Sequence, residues 1–192
     1  MMELILASGS PRRRELLTRE GIPFRVLVSD AEEKSAETRP DRLVQVLAER
    51  KAAKVAELVT EDAVILGADT VVSVDGEILG KPASEAEAEE MIRHIRGRAH
   101  EVYTGVSMIR KMGAVQLISV FSVGTKVHVK AMTDEEVRSY VALGESYDKA
   151  GAYAIQGAFG PYIASYEGDR DNVIGLPVTK VKEVLEAWGF HG

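Results

Sequence analysis

Residues 63–74, with the sequence AVILGADTVVSV, constrain the fold of this chain more than any other segment. This segment is the most apolar in the chain, so it predicts a buried strand at the centre of a sheet. Asp69 interrupts the strand. Burying a carboxylate is costly unless the group is paired or binds a metal, so Asp69 is a candidate functional residue. Gly67, close to it, is expected to let a ligand approach the backbone.

The N-terminal segment predicts an anion site. Residues 3–8 predict a buried strand, and a helix is predicted from Pro11 to about residue 20, with Ser10 as its N-cap and Gly21 after its last turn. A helix N-terminus attracts anions through its free N–H groups and its dipole. The first turn nevertheless carries three cationic residues, which are Arg12, Arg13 and Arg14. A bound polyanion would relieve this conflict.

Hydrophobic periodicity and turn signals predict a mixed sheet with helical cover. Further strands are predicted at residues 24–28, 78–79, 100–109, 115–129 and 162–166. Helices are predicted to begin at Pro40, Ser84, Thr133 and Pro177. Capping boxes are expected at residues 84–87 and 133–136. Residues 75–76, Asp-Gly, predict a type I′ hairpin, and residues 168–172 predict a turn.

Lys51 lies on the apolar stripe of the helix that begins at Pro40. The predicted buried face of this helix consists of Leu43, Val46, Leu47, Val55 and Leu58. Steps of four residues from Leu43 pass through Lys51, so the lysine is not on the opposite, polar face. Two interpretations remain open. The aliphatic stem can pack while the ammonium group reaches solvent, or the lysine can point into a cleft.

Composition limits the class of protein. The chain has 192 residues, of which 45% are hydrophobic, so we expect one domain spanning residues 1–192. A net charge of −6 argues against a protein that binds nucleic acid or membrane surfaces. Without cysteine, and with no metal-ligand spacing among His94, His100, His128 and His191, any metal would have oxygen ligands. The apolar runs are far shorter than the roughly 20 residues of a membrane-spanning helix, so a soluble cytoplasmic protein is expected.

Charged residues at strand and loop boundaries form a candidate site, namely Arg12, Arg13, Glu33, Lys51, Asp69 and Lys81. Cations suit phosphate oxygens, and carboxylates suit a hard divalent ion. At about 4 Å and an effective dielectric constant near 20, one ion pair is worth roughly 4 kcal/mol before desolvation. Several pairs could hold a triphosphate, although spacing alone leaves scattered surface charge as an alternative. The P-loop, dinucleotide-binding and serine-nucleophile motifs are absent.

Several motifs resemble those of the Maf family of nucleoside triphosphate pyrophosphatases. They lie at residues 6–17, 32–33, 51–52, 67–72, 79–82, 148–157 and 175–177, in the family's order and across almost the whole chain. The resemblance implies hydrolysis of a nucleoside triphosphate to the monophosphate and pyrophosphate, with Mg²⁺ or Mn²⁺ as cofactor. The expected substrates are dTTP, UTP or modified pyrimidine triphosphates, in a housecleaning role. It also implies a homodimer that binds a small-molecule nucleotide, with neither nucleic acid nor membrane as partner. The implied fold is α/β, with a mixed twisted sheet, flanking helices and two lobes around a central cleft, similar to the inosine triphosphate pyrophosphatases.

The resemblance also implies roles for individual residues. Asp69 would accept the proton of the attacking water, and Glu33 and Asp69 would lie near the metal. The catalytic set it implies is Asp69, Glu33, Lys51 and Lys81. The substrate-binding set is Ser8, Arg12, Arg13, Thr70 and Gln156, of which Arg12, Thr70 and Gln156 match positions linked to substrate selection. Arg14 is expected to project away from the side that carries Arg12.

Gln156 bears on the choice of base. It resembles the dTTP/UTP branch of the family, whereas the 7-methyl-GTP branch tends to carry an acidic residue there. An amide offers a donor and an acceptor, which suits the imide edge of thymine or uracil. Residues 169–170, Asp-Arg, depart from the family's usual pattern. Two alternatives stay open, a pyrophosphatase with purine or 7-methyl-GTP specificity and a nucleotide-sensing regulatory protein of septum formation.

Overall fold

The computed structural model describes residues 2–190, so His191 lies outside the described residues. A seven-stranded sheet forms its centre. The strands are β1 (Glu3–Leu6), β2 (Phe24–Val26), β3 (Ala63–Val74), β4 (Glu77–Leu79), β5 (Ala99–Met112), β6 (Val115–Val129) and β7 (Ile163–Glu167). The helices are α1 (Pro11–Arg19), α2 (Pro40–Leu58), α3 (Glu85–Ile95), α4 (Asp134–Val141), α5 (Arg170–Ile174) and α6 (Val178–Ala187).

The sheet is mixed, as predicted. Its strand order is β2-β1-β3-β5-β6-β7, and β4 pairs with β3 beside this path. The pairs β1·β2 and β1·β3 are parallel, while the remaining pairs are antiparallel. The parallel strands are joined through helices and the antiparallel strands β5 and β6 through a short turn, as chain geometry requires.

The central strand β3 has the predicted bounds and connects two apolar clusters. Its first half packs with α1 and α6, and its second half packs with α3 and α4. Between these clusters, Asp69 and Thr70 are the two partly exposed positions of β3. A cleft therefore opens where the polar residues interrupt the apolar strand. The hairpin that follows is also confirmed, because Asp75 and Gly76 have φ values of 51° and 83°.

Helix α2 packs unusually close to the sheet because two glycines face it. A Cβ atom on Gly67 would lie 2.5 Å from the Ala48 carbonyl oxygen, and one on Gly105 would lie 2.2 Å from the Val44 carbonyl. Gly67 thus admits a helix, and the prediction that it admits a ligand was wrong. The buried face of α2 also differs from the prediction. It consists of Val44, Leu47, Ala48, Ala52, Val55 and Ala56, whereas Leu43 and Val46 are half-buried and Leu58 is exposed.

Several local predictions are confirmed and others are wrong. Residues 133–136 form a complete capping box, as predicted. At residues 84–87 the Ser84 hydroxyl accepts from the Glu87 N–H, but the Glu87 carboxylate accepts from the Ala83 N–H and not from that of Ser84, so the predicted box is incomplete. Strands β1 and β2 each end two residues earlier than predicted. The predicted turn at residues 168–172 includes the start of α5, whose N-cap is Asp169. No helix within residues 2–190 is long and apolar enough to cross a membrane. The cytoplasmic location stays a prediction.

Candidate active site

One cleft, with a volume of about 340 Å³, brings the predicted site residues together. It lies between the loop after β1, the polar step of β3, the end of β4 and the segment after α4. All nine predicted residues line it, namely Ser8, Arg12, Arg13, Glu33, Lys51, Asp69, Thr70, Lys81 and Gln156. The alternative of scattered surface charge is therefore wrong for these residues. Arg14 is exposed and lies outside the lining, as predicted.

Arg13 is the most buried cation of the cleft, with 9% of its surface exposed. Its guanidinium donates to the Gly175 carbonyl at 2.8 Å, the Ser8 hydroxyl at 3.1 Å and the Thr70 hydroxyl at 3.1 Å. Gly175 has a φ of 134°, a conformation that favours glycine, and this lets its carbonyl face the arginine. The three partners of the Arg13 side chain, Ser8, Thr70 and Gly175, thus come from segments that are far from one another in the sequence.

The partners of Arg13 are neutral, and this matters for binding. Burial lowers the pKa of its guanidinium, while the nearby Asp69 carboxylate raises it. Within residues 2–190, no carboxylate lies within 4.0 Å of Arg13. A buried cation without a direct counter-ion is costly, so an anion entering the cleft would be stabilised beside it.

The Ser8 hydroxyl holds the turn before α1. The Ser8 hydroxyl accepts from the Ser10 N–H at 3.2 Å as well as from Arg13. Ser10 occupies the N-cap position of α1, but its side chain makes no capping hydrogen bond. The predicted N-cap position of Ser10 is therefore confirmed, whereas the predicted capping hydrogen bond of its side chain was wrong.

Lys51 points into the cleft, which decides between its two interpretations. Its ammonium donates to the Asp69 carboxylate at 2.5 Å and contacts the Glu33 carboxylate at 2.8 Å. The Lys51 and Asp69 side chains are 12% and 15% exposed, whereas that of Glu33 is 60% exposed. Close packing of α2 on β3 at Gly67 brings this lysine within reach of the strand. One cation therefore draws two carboxylates together.

The charges around Glu33 determine its protonation. The hydrogen bond from Lys51 lowers the pKa of this carboxyl group, partial burial raises it, and the charges of Lys51, Lys81 and Arg13 lower it further. The net direction is downward. Glu33 therefore stays ionised to lower pH than an ordinary glutamate, which keeps it available as a ligand for a cation.

Arg12 is tied to the opposite side of the cleft by Asp148, a contact that sequence reasoning missed. The guanidinium donates to the Asp148 carboxylate at 3.0 Å and to its backbone carbonyl at 3.1 Å. Burial raises the pKa of Asp148, but the hydrogen bonds from Lys149 and Arg12 outweigh this effect and lower it. Asp148 lies within the family motif at residues 148–157, and this was the one signal available for it.

Comparisons with known proteins identify the family of this chain. A family model described as Maf-like protein matches residues 3–188. The chain belongs to the Maf family. A dTTP/UTP pyrophosphatase of Thermoanaerobacter sp. (strain X514) is 45% identical over 185 residues, which cover 96% of each chain. A dTTP/UTP pyrophosphatase of Bacillus cereus (strain Q1) is 44% identical over 191 residues, which cover 99% of this chain and 97% of that protein.

The fold has a counterpart among solved structures. The Staphylococcus aureus Ham1 protein superposes with a TM-score of 0.52, over 96% of this chain and 98% of that chain. Sequence identity is 16%, so the likeness concerns the fold alone. It supports the predicted α/β architecture of a mixed sheet with flanking helices.

Lys81 and Gln156 complete the lining of this Maf-family cleft from its second side. Both residues are exposed. Within residues 2–190, no carboxylate lies within 4.0 Å of the Lys81 ammonium. The Gly151 N–H donates to the Gly80 carbonyl at 3.0 Å, which holds the segment leading to Gln156 against the end of β4. This backbone hydrogen bond connects the segment that carries Lys81 to the segment that leads to Gln156, and both side chains line the cleft.

The acidic residues of the cleft fit a hard divalent cation. Glu33 and Asp69 contact the same ammonium group, so their oxygens lie close enough to share one ion. Mg²⁺ is commonly bound by one or two carboxylates together with substrate phosphates. Within residues 2–190, no group of three or more Asp, Glu or His residues could hold a metal alone. The donor set therefore suits a metal that arrives with a phosphorylated ligand.

The lowered pKa of Glu33 can be tested by replacing Lys51 with Met. Because Lys51 supplies the largest lowering contribution, we expect the pKa of Glu33 to rise toward its ordinary value in Lys51→Met. A depressed pKa stabilises the fold above the ordinary value and loses this effect as pH falls through the folded value. The variant should therefore lack this stabilisation at neutral pH. Titration of the Glu33 carboxyl by NMR measures the shift.

Lys54→Met provides the matched control, because Lys54 lies on the same helix and contacts Glu57. This control should leave the titration of Glu33 unchanged. If the pKa of Glu33 remains as low in Lys51→Met as in the unmodified protein, the assigned cause is wrong.

Proposed function

We propose that this protein hydrolyses dTTP and UTP to the nucleoside monophosphate and pyrophosphate. The observation that carries the proposal is the convergence of Lys51, Asp69 and Glu33, at 2.5 Å and 2.8 Å, beside the buried guanidinium of Arg13. Phosphoryl transfer depends on positioning and charge stabilisation, which this arrangement can supply. The relatives described above, at 44–45% identity over nearly the whole chain, support the choice of substrates.

In the proposed reaction, Asp69 acts as general base. It takes a proton from a water molecule whose oxygen attacks the α-phosphorus, and the bond from that phosphorus to the bridging oxygen breaks. Pyrophosphate leaves with the bonding electrons. Lys51 orients the Asp69 carboxylate through its 2.5 Å contact. A positioned general base contributes roughly 10²–10⁴-fold to the rate.

The cations of the cleft bind the triphosphate in this proposal. Arg13 is held rigidly by Ser8, Thr70 and Gly175, so it needs little reorganisation to stabilise charge on a phosphate. Lys81, exposed in the lining, suits the outer phosphates. Glu33 and Asp69 would hold Mg²⁺ or Mn²⁺, which would neutralise phosphate charge when bound.

Gln156 reads the base in this proposal. Its amide supplies one donor and one acceptor group, and the imide edge of uracil or thymine presents carbonyl acceptors beside an N–H donor. Gln156 is exposed and lines the same cleft as the arginines of α1. A carboxylate at this position could not donate to a base carbonyl.

A panel of nucleoside triphosphates tests the substrate assignment. The protein is incubated with Mg²⁺ and dTTP, UTP, CTP, ATP, GTP or 7-methyl-GTP, and the monophosphate and pyrophosphate are quantified. We expect the highest kcat/KM for dTTP and UTP. Faster turnover of GTP or 7-methyl-GTP would show purine specificity. Nucleotide binding without release of pyrophosphate over hours would indicate a sensor, and either result contradicts the proposal.

The role of Asp69 is tested in the same assay with Asp69→Asn. We expect kcat to fall by roughly 10²–10⁴-fold because the amide cannot accept the proton. Asp75→Asn is the matched control, because it removes a carboxylate outside the cleft and places Asn-Gly in a type I′ turn that accepts it. Unfolding by urea should show both variants folded. Full turnover by Asp69→Asn would remove Asp69 from its role.

A homodimer is part of the proposal, and the edge of β6 supports it. Among the described residues, 115–125 pair with β5 alone, because pairing with β7 begins at Lys126. This edge contains no charged residue and no proline, the usual protections of an open strand. Val115, Leu117 and Ile118 are exposed on it. A second copy suits the edge, because two identical antiparallel strands can pair about a two-fold axis.

Ile118→Lys tests this interface. A lysine would replace an exposed apolar side chain with a charge on each copy of the edge, which opposes pairing, so we expect the dissociation constant of the dimer to rise about tenfold or more. Leu58→Lys is the matched control, since both side chains are 61% exposed and Leu58 lies on α2. Light scattering across a dilution series measures the mass. A monomeric unmodified protein, or an equal effect of both substitutions, would contradict the interface.

A further inference from the structure

A chain of hydrogen bonds runs from the cleft into the core behind it. The Arg13 guanidinium donates to the Thr70 hydroxyl at 3.1 Å, and the Thr70 and Thr104 hydroxyls are 2.8 Å apart. The Thr104 hydroxyl in turn donates to the backbone carbonyl of Asn172 at 2.9 Å. Thr70 and Thr104 are direct cross-strand partners in β3 and β5. This chain connects the cleft lining to α5.

The direction of every proton in this chain follows from chemistry. A guanidinium only donates, and a carbonyl only accepts. The single hydroxyl proton of Thr104 is directed to the Asn172 carbonyl, so Thr104 can only accept from Thr70. Thr70 therefore gives its own proton to Thr104, while one of its lone pairs accepts from Arg13.

The far end of the chain is fixed by burial. Thr104 and Asn172 are both 0% exposed. The Asn172 amide nitrogen donates to the Val102 carbonyl at 3.1 Å and to the Thr125 hydroxyl at 2.9 Å. These side-chain contacts fix Asn172 against β5 and β6. Its backbone carbonyl therefore cannot turn away from Thr104 without breaking buried hydrogen bonds, which is costly.

We propose that Thr104 is a positioning residue that determines whether the Thr70 hydroxyl acts as a hydrogen-bond donor or acceptor toward the cleft. With its proton committed to Thr104, Thr70 presents only a lone pair to the cleft. The group of the nucleotide that contacts Thr70 is therefore a hydrogen-bond donor, either the imide N–H of the base or a hydroxyl of the sugar. The inference rests on the proposed function, since it takes the ligand to be a pyrimidine nucleoside triphosphate.

The orientation of the Thr70 proton implies that Thr70 and Arg13 bind different parts of the nucleotide. Phosphate oxygens that carry no proton need donors, and Thr70 has none to offer. Arg13 uses three of the five N–H donors of a guanidinium on Gly175, Ser8 and Thr70, so the other two remain for an anion. Arg13 thus suits a phosphate, and Thr70 suits the nucleoside.

Thr104→Val tests the inference, because valine keeps the shape of threonine and removes the acceptor. The Thr70 proton is then free to point into the cleft. Dissociation constants are measured for non-cleavable α,β-methylene analogues of UTP, CTP and 2′,3′-dideoxy-UTP. CTP lacks the imide N–H, and the dideoxy analogue lacks the sugar hydroxyls. Binding by analogues does not require turnover, so failure of the inference is distinguishable from absence of pyrophosphatase activity.

In the unmodified protein, the analogue that lacks the donor facing Thr70 should bind about tenfold more weakly than the UTP analogue. The partner of Thr70 is the imide if Thr104→Val removes the weaker binding of the CTP analogue, and the sugar if it removes that of the dideoxy analogue. Discrimination against the CTP analogue that persists in Thr104→Val is assigned to Gln156. Thr104→Val should reduce this ratio to about twofold or less, whereas Thr104→Ser, which keeps the hydroxyl, should preserve it.

Ser107→Ala is the control for a lost buried hydroxyl, because Ser107 is buried on the same strand β5 and its hydroxyl has no hydrogen-bond partner among the described residues. It lies outside the cleft lining and should leave the ratio unchanged. The inference is overturned if the unmodified protein binds all three analogues equally. It is also overturned if Thr104→Val keeps the full discrimination, or if Ser107→Ala abolishes it.

Discussion

The ion pair between Lys51 and Asp69 is the interaction on which the rest of this structure depends. Asp69 lies in the middle of the central strand, where an unpaired carboxylate would be costly. The counter-charge comes from α2, which can approach because Gly67 and Gly105 carry no side chain. The close packing of α2 on Gly67 and Gly105 thus has two effects. It supplies a counter-charge that stabilises the Asp69 carboxylate in β3, and it places the Lys51 ammonium beside this proposed base.

The two buried cations of the cleft have different surroundings. Lys51 contacts two carboxylates, whereas Arg13 is bound by hydroxyls and a carbonyl. Neutral acceptors satisfy the hydrogen bonds of a guanidinium but leave its charge uncompensated. The cleft therefore carries an excess of negative charge at Glu33 and Asp69 and an excess of positive charge at Arg13. An anion that brings its own divalent cation would suit both sides, and a nucleoside triphosphate with Mg²⁺ has this character.

Local chemistry explains which parts of the fold could be predicted. The bounds of β3, the Asp75-Gly76 hairpin and the cap of α4 depend on neighbouring residues, so the sequence alone indicates them. The buried face of α2 depends on glycines of other strands, and the prediction for it was partly wrong. Ser10 occupies the predicted N-cap position of α1, but its side chain makes no capping hydrogen bond, and its N–H instead donates to the Ser8 hydroxyl in the preceding turn.

The candidate site shows the same division. The motifs carried by the family resemblance named nine residues, and all of them line one cleft. Asp148, Thr104 and Asn172 were not assigned a role, because their contacts join residues 136, 34 and 68 positions apart in the chain. Periodicity and capping signals act over a few residues, so they carry no information on such pairs. Side-chain contacts between residues so far apart in the chain become apparent only in the folded structure.

The position of nucleophilic attack tests the account most directly. Hydrolysis of UTP in water enriched in ¹⁸O, followed by mass spectrometry of both products, locates the oxygen that enters. With Asp69 directing water at the α-phosphorus, the label should appear in UMP and be absent from pyrophosphate. Label in pyrophosphate, or release of UDP and inorganic phosphate, would contradict the proposed geometry of the cleft.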